Sequence, residues 1–313
     1  MSLAGKYAGE FLEKHALRES QTPPAQGWSK LARILADGIA IRKNKGEGLA
    51  HYKGRIHDDS GFGRLLLFAH PVQELLISCR IELLPLFAAL AVIHSELTGT
   101  PGACCVPVCW QLQGGLEYLG FDSEVIAASS LVMRDADNQP EPVGQIDRLP
   151  SLRDDGSTNG HAVVWAASFG QLVDPTIVRA RYLQAVAQDH PGVSFPVMLP
   201  VADRDTLFGP TTICSSSRPT LTIAWALLPH WTQALIPSPG SDLGAAIAYG
   251  KLALAHTILE VIRGLNIVRP DTEQLRAHYP PLAALLNGTS QLPRLPSEPP
   301  AAFIRLRRPD RPA

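Results

Sequence analysis

Residues 72–97 carry apolar side chains over more than one face of a helical repeat, so the helix they specify must be covered on several sides. The covering layer has to come from the rest of the chain. Thr98, Gly99, Thr100, Pro101 and Gly102 stop this helix, Gly99 supplying a left-handed cap and Pro101 preventing resumption. A second helix is expected over 104–119, ended by Gly120, Phe121 and Asp122. The period then changes from helical to alternating. Residues 124–132 read as a strand, and 161–168 and 171–174 as a hairpin around Phe169-Gly170. Further strands are expected at 194–200 and 221–228, and a last helix at 242–263 capped by Ser241 or Asp242. Helices first and antiparallel strands after define an α+β fold: a helical N-terminal half with the 104–119 helix packed on an antiparallel sheet.

The chain divides into three parts. Residues 1–61 are a mixed, partly helical segment, broken by Pro23-Pro24, and its basic stretch 42–45 reads as a solvated turn. Residues 62–286 form the main domain. They include a surface insertion, 133–159, rich in Asp, Pro, Asn and Gly. Residues 287–313, rich in Pro and Arg, read as a loose tail. Only 18% of the 313 residues are charged and 45% are hydrophobic, which excludes a disordered chain. With 28 basic against 29 acidic side chains there is no footprint for nucleic acid. No secretory signal is expected, and no apolar run long enough to span a bilayer. A cytoplasmic protein with reduced thiols and no membrane partner follows as the expectation. Oligomeric state is left open.

Five cysteines in so long a chain are no disulfide scaffold. By default each is a small buried apolar side chain, the reading given to Cys79 and Cys214. Cys104, Cys105 and Cys109 differ because of Pro107. Proline lacks an amide hydrogen and is tolerated in a helix only in the first turn, so the helix begins near Val106. Cys104 and Cys105 then lie at its N-terminus, where unpaired amides and the helix dipole favour a thiolate. Cys109 lies one turn inside.

A cysteine nucleophile needs an imidazole base and a group to orient it. His161 opens one strand of the expected hairpin and Asp174 closes the other. Residues at the open ends of a hairpin are neighbours, so Asp174 can hold one tautomer of the His161 ring. The ordinary readings are a surface histidine and a turn aspartate before Pro175.

The run Gly102-Ala103-Cys104-Cys105, a helix, then Leu119-Gly120-Phe121 and a strand resembles the core of the transglutaminase-like fold, within the papain-like cysteine enzymes. Residues 160–165 (Gly-His-Ala-Val-Val-Trp) and 170–176 (Gly-Gln-Leu-Val-Asp-Pro-Thr) are similar to that family's His-Ala-Trp and Val-Asp-Pro-Thr hairpin. The likeness covers roughly residues 99–177. The spacing of fifteen positions from Cys105 to Gly120 suits Cys105 better than Cys104 or Cys109. Val106 and Val163 stand where the family usually has aromatics, whereas Trp110 follows Cys109 and keeps that cysteine as a rival nucleophile. The Arg-Gly-Gly-x-Cys signature of the arylamine N-acetyltransferases, a more distant branch, is absent.

The resemblance implies a cysteine-dependent hydrolase or acyltransferase acting on a peptide, protein or small acyl substrate. Cys105 would attack the carbonyl, His161 would move the proton and Asp174 would orient the ring. The Cys105 amide, with Gln111 or Gln113, would hold the oxyanion. Cys109 and Cys104 are the alternative nucleophiles. The rival readings are a catalytically inert binding or scaffolding module, motivated by Val106 and Val163, and a CoA-dependent N-acyltransferase. No cofactor is expected. No metal site is expected either, because the clustered cysteines have no second ligand pair at zinc spacing. Residues 244–252 carry glycines and a lysine but lie inside a helix, so they are no phosphate loop.

Overall fold

The structure, a computed structural model, describes residues 17–18, 84, 87–88, 90–91, 105–143, 151–152, 158–177, 180–186, 197–200, 204–207, 212–218, 220–264, 276–277 and 279–296. The protein is α+β. Its helices are α1 (Cys105–Tyr118), α2 (Arg181–Val186), α3 (Arg204–Leu207), α4 (Asp242–Gly264) and α5 (Pro280–Leu286). Its strands are β1 (Leu17–Arg18), β2 (Glu124–Arg134), β3 (Pro140–Val143), β4 (Ser151–Leu152), β5 (Thr158–Asn159), β6 (His161–Ala166), β7 (Gln171–Asp174), β8 (Val197–Pro200), β9 (Thr212–Arg218) and β10 (Leu221–Leu227). Leu84, Phe87, Ala88, Leu90 and Ala91, from the expected 72–97 helix, are helical and buried. The expected helices of 1–61 lie outside the described residues.

The main sheet runs β1-β9-β10-β2-β6-β7-β8, with β3 paired to β2, and β4 pairs with β5 in a separate two-stranded sheet. Every pairing is antiparallel except β1 with β9. The far strand β8 contacts both β9 and β1, so the sheet curls towards a barrel. Alternation along β6 sorts its side chains between two cores. Ala162, Val164 and Ala166 join the cluster formed with α1, α4 and α5. Val163 and Trp165 join a second cluster with Ile126, Leu172, Ile223 and Trp225 inside the curl. Full burial of each large aliphatic or aromatic side chain contributes roughly 1.5–3 kcal/mol.

Two features fix where α1 lies. At its C-terminus the Gly120 amide bonds the Glu117 carbonyl at 2.9 Å and the Phe121 amide bonds the Leu116 carbonyl at 2.9 Å. This is a Schellman closure, and it needs Gly120 at φ +85°. Phe121 then enters an aromatic cluster with Phe87, Phe169 and Tyr279. Along its length α1 packs on α4, where a Cβ on Gly250 would lie 2.5 Å from Gln111 Nε2. The α4 N-terminus is capped as expected, by Ser241 Oγ accepting from the Gly244 amide at 3.0 Å.

The described residues of the 133–159 insertion include regular strands. Strand β2 continues to Arg134, and the chain turns back as β3. Glu141 on β3 is buried and accepts from the Arg181 and Tyr182 amides at 2.8 and 2.7 Å, capping α2. The start of the expected tail is also tied down. Leu292 packs on the first core, and His256 Nε2 donates to the Pro293 carbonyl at 2.9 Å.

Candidate active site

Helix α1 begins at Cys105 with Pro107 its third residue, as the missing amide of proline requires. Cys109 Sγ lies 3.1 Å from the Ala162 carbonyl and Cys105 Sγ lies 3.9 Å from the Gly160 carbonyl. The helix therefore runs alongside β6 with its N-terminus at the strand's first residue. At that point the sheet is interrupted. β6 pairs with residues 124–128 of β2 and β3 with 130–133, which leaves a gap on this edge at Ser129. Gly160, at φ +125°, turns the chain into β6 there, a conformation closed to most side chains. His161 shares the alternation of Val163 and Trp165, so it belongs to the inner face of the curl. Being the first residue of its strand, it still meets the helix end on the outer face.

His161 stands between the other two groups. Its Nε2 lies 2.6 Å from Asp174 Oδ2, and its side chain is hydrogen-bonded to that of Cys105. With Nε2 committed to the carboxylate, Nδ1 is the ring nitrogen left for the thiol. In the hairpin register Val164 pairs with Val173 and Trp165 with Leu172, so Asp174 is the diagonal neighbour of His161 on one face. All three residues are buried: Cys105 is 4% exposed, His161 2% and Asp174 3%. Burial alone would depress the His161 pKa. The Asp174 carboxylate, the charge of Cys105 and hydrogen bonds to both outweigh it and raise the pKa to about 10.

Asp174 is held from every side. Oδ1 accepts from the Thr176 amide at 3.1 Å, the Ile177 amide at 2.9 Å and the Thr176 hydroxyl at 3.4 Å. Oδ2 accepts from His161 and, at 2.7 Å, from the indole Nε1–H of Trp225. Pro175 and Thr176 thus form a turn that binds the carboxylate through main-chain amides.

The other expected residues fall differently. Cys109 is fully buried and donates its S–H to the Ala162 carbonyl. Burial, with the charges of Cys105 and Asp174, pushes its pKa well above the ordinary thiol range, so it is held as a thiol. Cys104 and Cys79 lie outside the described residues. Cys214 lies on β9. Gln111 and Gln113 do not reach the site. Gln111 is packed against Gly250 of α4, and Gln113 Oε1 lies 3.4 Å from Lys251 Nζ. Six and eight residues further along α1, they lie about 9 and 12 Å beyond Cys105 in the axial direction. Trp110, which follows Cys109, donates to the Leu235 carbonyl at 3.0 Å. Among the described residues no group of three or more His, Cys, Asp or Glu could hold a metal ion. No helix among them is long and apolar enough to cross a membrane.

Trp225 was not among the residues the sequence singles out. The available signal was a tryptophan inside an expected strand, since a buried indole N–H needs an acceptor. Compared with known proteins, the chain matches no family model, no curated protein and no solved structure.

Proposed function

We propose that the protein is a cysteine-dependent acyl-transfer enzyme of transglutaminase-like type, cleaving or exchanging a peptide, amide or thioester bond. The observation that carries this reading is the His161 ring, whose Nε2 lies 2.6 Å from Asp174 Oδ2 and whose side chain also pairs with that of Cys105. A helix starting at its nucleophile and packed on an antiparallel sheet that supplies the base and orienter supports the same reading.

The chemistry follows from the geometry. Proton transfer from Cys105 to His161 gives a thiolate–imidazolium pair, stabilised by Asp174 and the α1 N-terminus. The thiolate attacks the substrate carbonyl, forming the C–S bond as the carbonyl π pair moves to oxygen. The first-turn amides of α1, that of Cys105 among them, would stabilise that oxyanion. Collapse expels the amine or thiol, which takes the imidazolium proton, leaving a thioester on Cys105. His161 then removes a proton from water or an acceptor amine, and the second collapse frees Cys105.

Iodoacetamide labelling tests this reading. Cys105 should be alkylated near neutral pH well ahead of Cys109, and Cys105→Ala should abolish turnover of amide or thioester probes. Absence of selective labelling, with activity intact in Cys105→Ala, would sink it. The second reading, an inert binding or scaffolding module, is favoured by one observation: a carbonyl must reach a sulfur in a residue only 4% exposed. A protein whose Cys105 labels rapidly yet turns over no acyl probe would support that reading. A cleft beside Cys105 that binds free CoA would favour a CoA-dependent N-acyltransferase.

A further inference from the structure

We propose that Trp225 is a positioning residue of this site, acting through Asp174 on His161. The inference rests on the triad reading above. Trp225 lies on β10 and Asp174 on β7, with β2 and β6 between them in the sheet order. The indole reaches across the inside of the curl, where it is 1% exposed, to donate to Asp174 Oδ2 at 2.7 Å. That oxygen is also the one bonded to His161 Nε2 at 2.6 Å.

The carboxylate is therefore pinned by two separate parts of the chain. Oδ1 is held locally, by the turn at Thr176 and Ile177. Oδ2 would otherwise meet only the imidazole it has to orient. The indole supplies a fixed reference from the opposite wall, setting the carboxylate plane independently of the histidine. A fixed plane fixes the ring, and a fixed ring fixes the nitrogen that faces Cys105. The indole N–H also draws charge from Oδ2, which tempers how strongly Asp174 holds the imidazolium proton.

A tryptophan serving only as core filling would need an acceptor too, so the test must separate volume from the hydrogen bond. Replacing Trp225 by 3-benzothienylalanine exchanges the indole N–H for sulfur at nearly constant shape, and Trp225→Phe is the genetic counterpart. The expected result is alkylation of Cys105 slowed about tenfold, with the alkaline limb of its pH profile displaced. A folded variant with wild-type rate and profile overturns the proposal. A second measurement needs no variant. In the wild-type protein the Trp225 indole N–H resonance should shift when the His161 imidazolium is titrated at high pH, because both groups share Oδ2. An indole resonance indifferent to that titration also overturns the proposal. If wild-type Cys105 is not selectively alkylated, the enzymatic reading falls by itself, and the indole–imidazole coupling is still decided by the resonance.

Discussion

Asp174→Asn removes a charge while keeping the shape of the side chain, and the five donors around the carboxylate allow its effect to be worked out. Oδ1 receives two main-chain amides and a hydroxyl, and Oδ2 receives the imidazole and the indole. An asparagine offers one oxygen and one NH2 group. If the oxygen faces the turn, the NH2 meets His161 and Trp225; if it is flipped, the NH2 meets Thr176 and Ile177. With the oxygen on the turn the indole is left without an acceptor, a neutral His161 being able to accept from the NH2. In the flipped form the two main-chain amides are left so, and at about 1–3 kcal/mol for each such donor the variant should lose about 1–6 kcal/mol of stability. The chemical effect is separate. His161 stands at about 10 against an ordinary 6.5, a preference for imidazolium of roughly 5 kcal/mol. The Asp174 charge is the largest contribution raising that value, and burial opposes it. Without the carboxylate the ring should be neutral at pH 7 and Cys105 should be held as a thiol. Iodoacetamide kinetics at pH 7, on a variant shown to be folded by circular dichroism, should show alkylation of Cys105 slowed by about two orders of magnitude or more. A folded Asp174→Asn protein that alkylates at the wild-type rate would refute the coupling between these three residues.

Three further outcomes are expected. His161 binds its proton more tightly folded than unfolded, so its contribution to stability is fully present below pH 6.5 and is lost as pH rises through about 10. Urea midpoints across that window should fall with pH in the wild type and less steeply in His161→Gln. Cys109→Ala deletes a buried thiol and its bond to the Ala162 carbonyl, costing about 1 kcal/mol by thermal denaturation. It should leave the Cys105 labelling rate unchanged; a collapse in labelling would make Cys109 the nucleophile. Glu141→Ala uncaps α2, whose first amides lie 2.8 and 2.7 Å from that carboxylate. It should cost about 1–2 kcal/mol, read by the same melt, without altering alkylation.

Much of the site was legible because few local rules governed it. Pro107 dictated where α1 starts, and Gly120 where it stops. The Phe169-Gly170 turn set the hairpin that carries His161 and Asp174, and Gly170 does adopt a left-handed conformation there. Strand β9 escaped notice because its Ser215-Ser216-Ser217 run has loop composition, and its place between β1 and β10 comes from tertiary pairing. The insertion was read as a loop from its prolines and aspartates. Pro140 and Pro142 are tolerated in β3 because, among the described residues, that strand pairs only with β2. The surroundings of Gln111 and Gln113 were not legible, because their contacts with Gly250 and Lys251 come from the packing of α1 on α4. Trp225 lies 51 residues beyond Asp174 in sequence, and only the curl of the sheet brings them together.

The candidate site draws on both faces of the sheet. Cys105 belongs to the helix-side cluster and His161 shares the alternation of Val163 and Trp165 on the inner face of the sheet, so neither layer, once formed, contains the proposed triad on its own. Sliding α1 along β6 by one residue would move the sulfur about 1.5 Å and rotate it about 100° around the helix, out of reach of the ring. The alkylation rate of one thiol is thus a gauge of how the layers have docked. During refolding, rapid alkylation of Cys105 should emerge last, after strand pairing and after helix content, timing the moment at which helix and sheet lock into register.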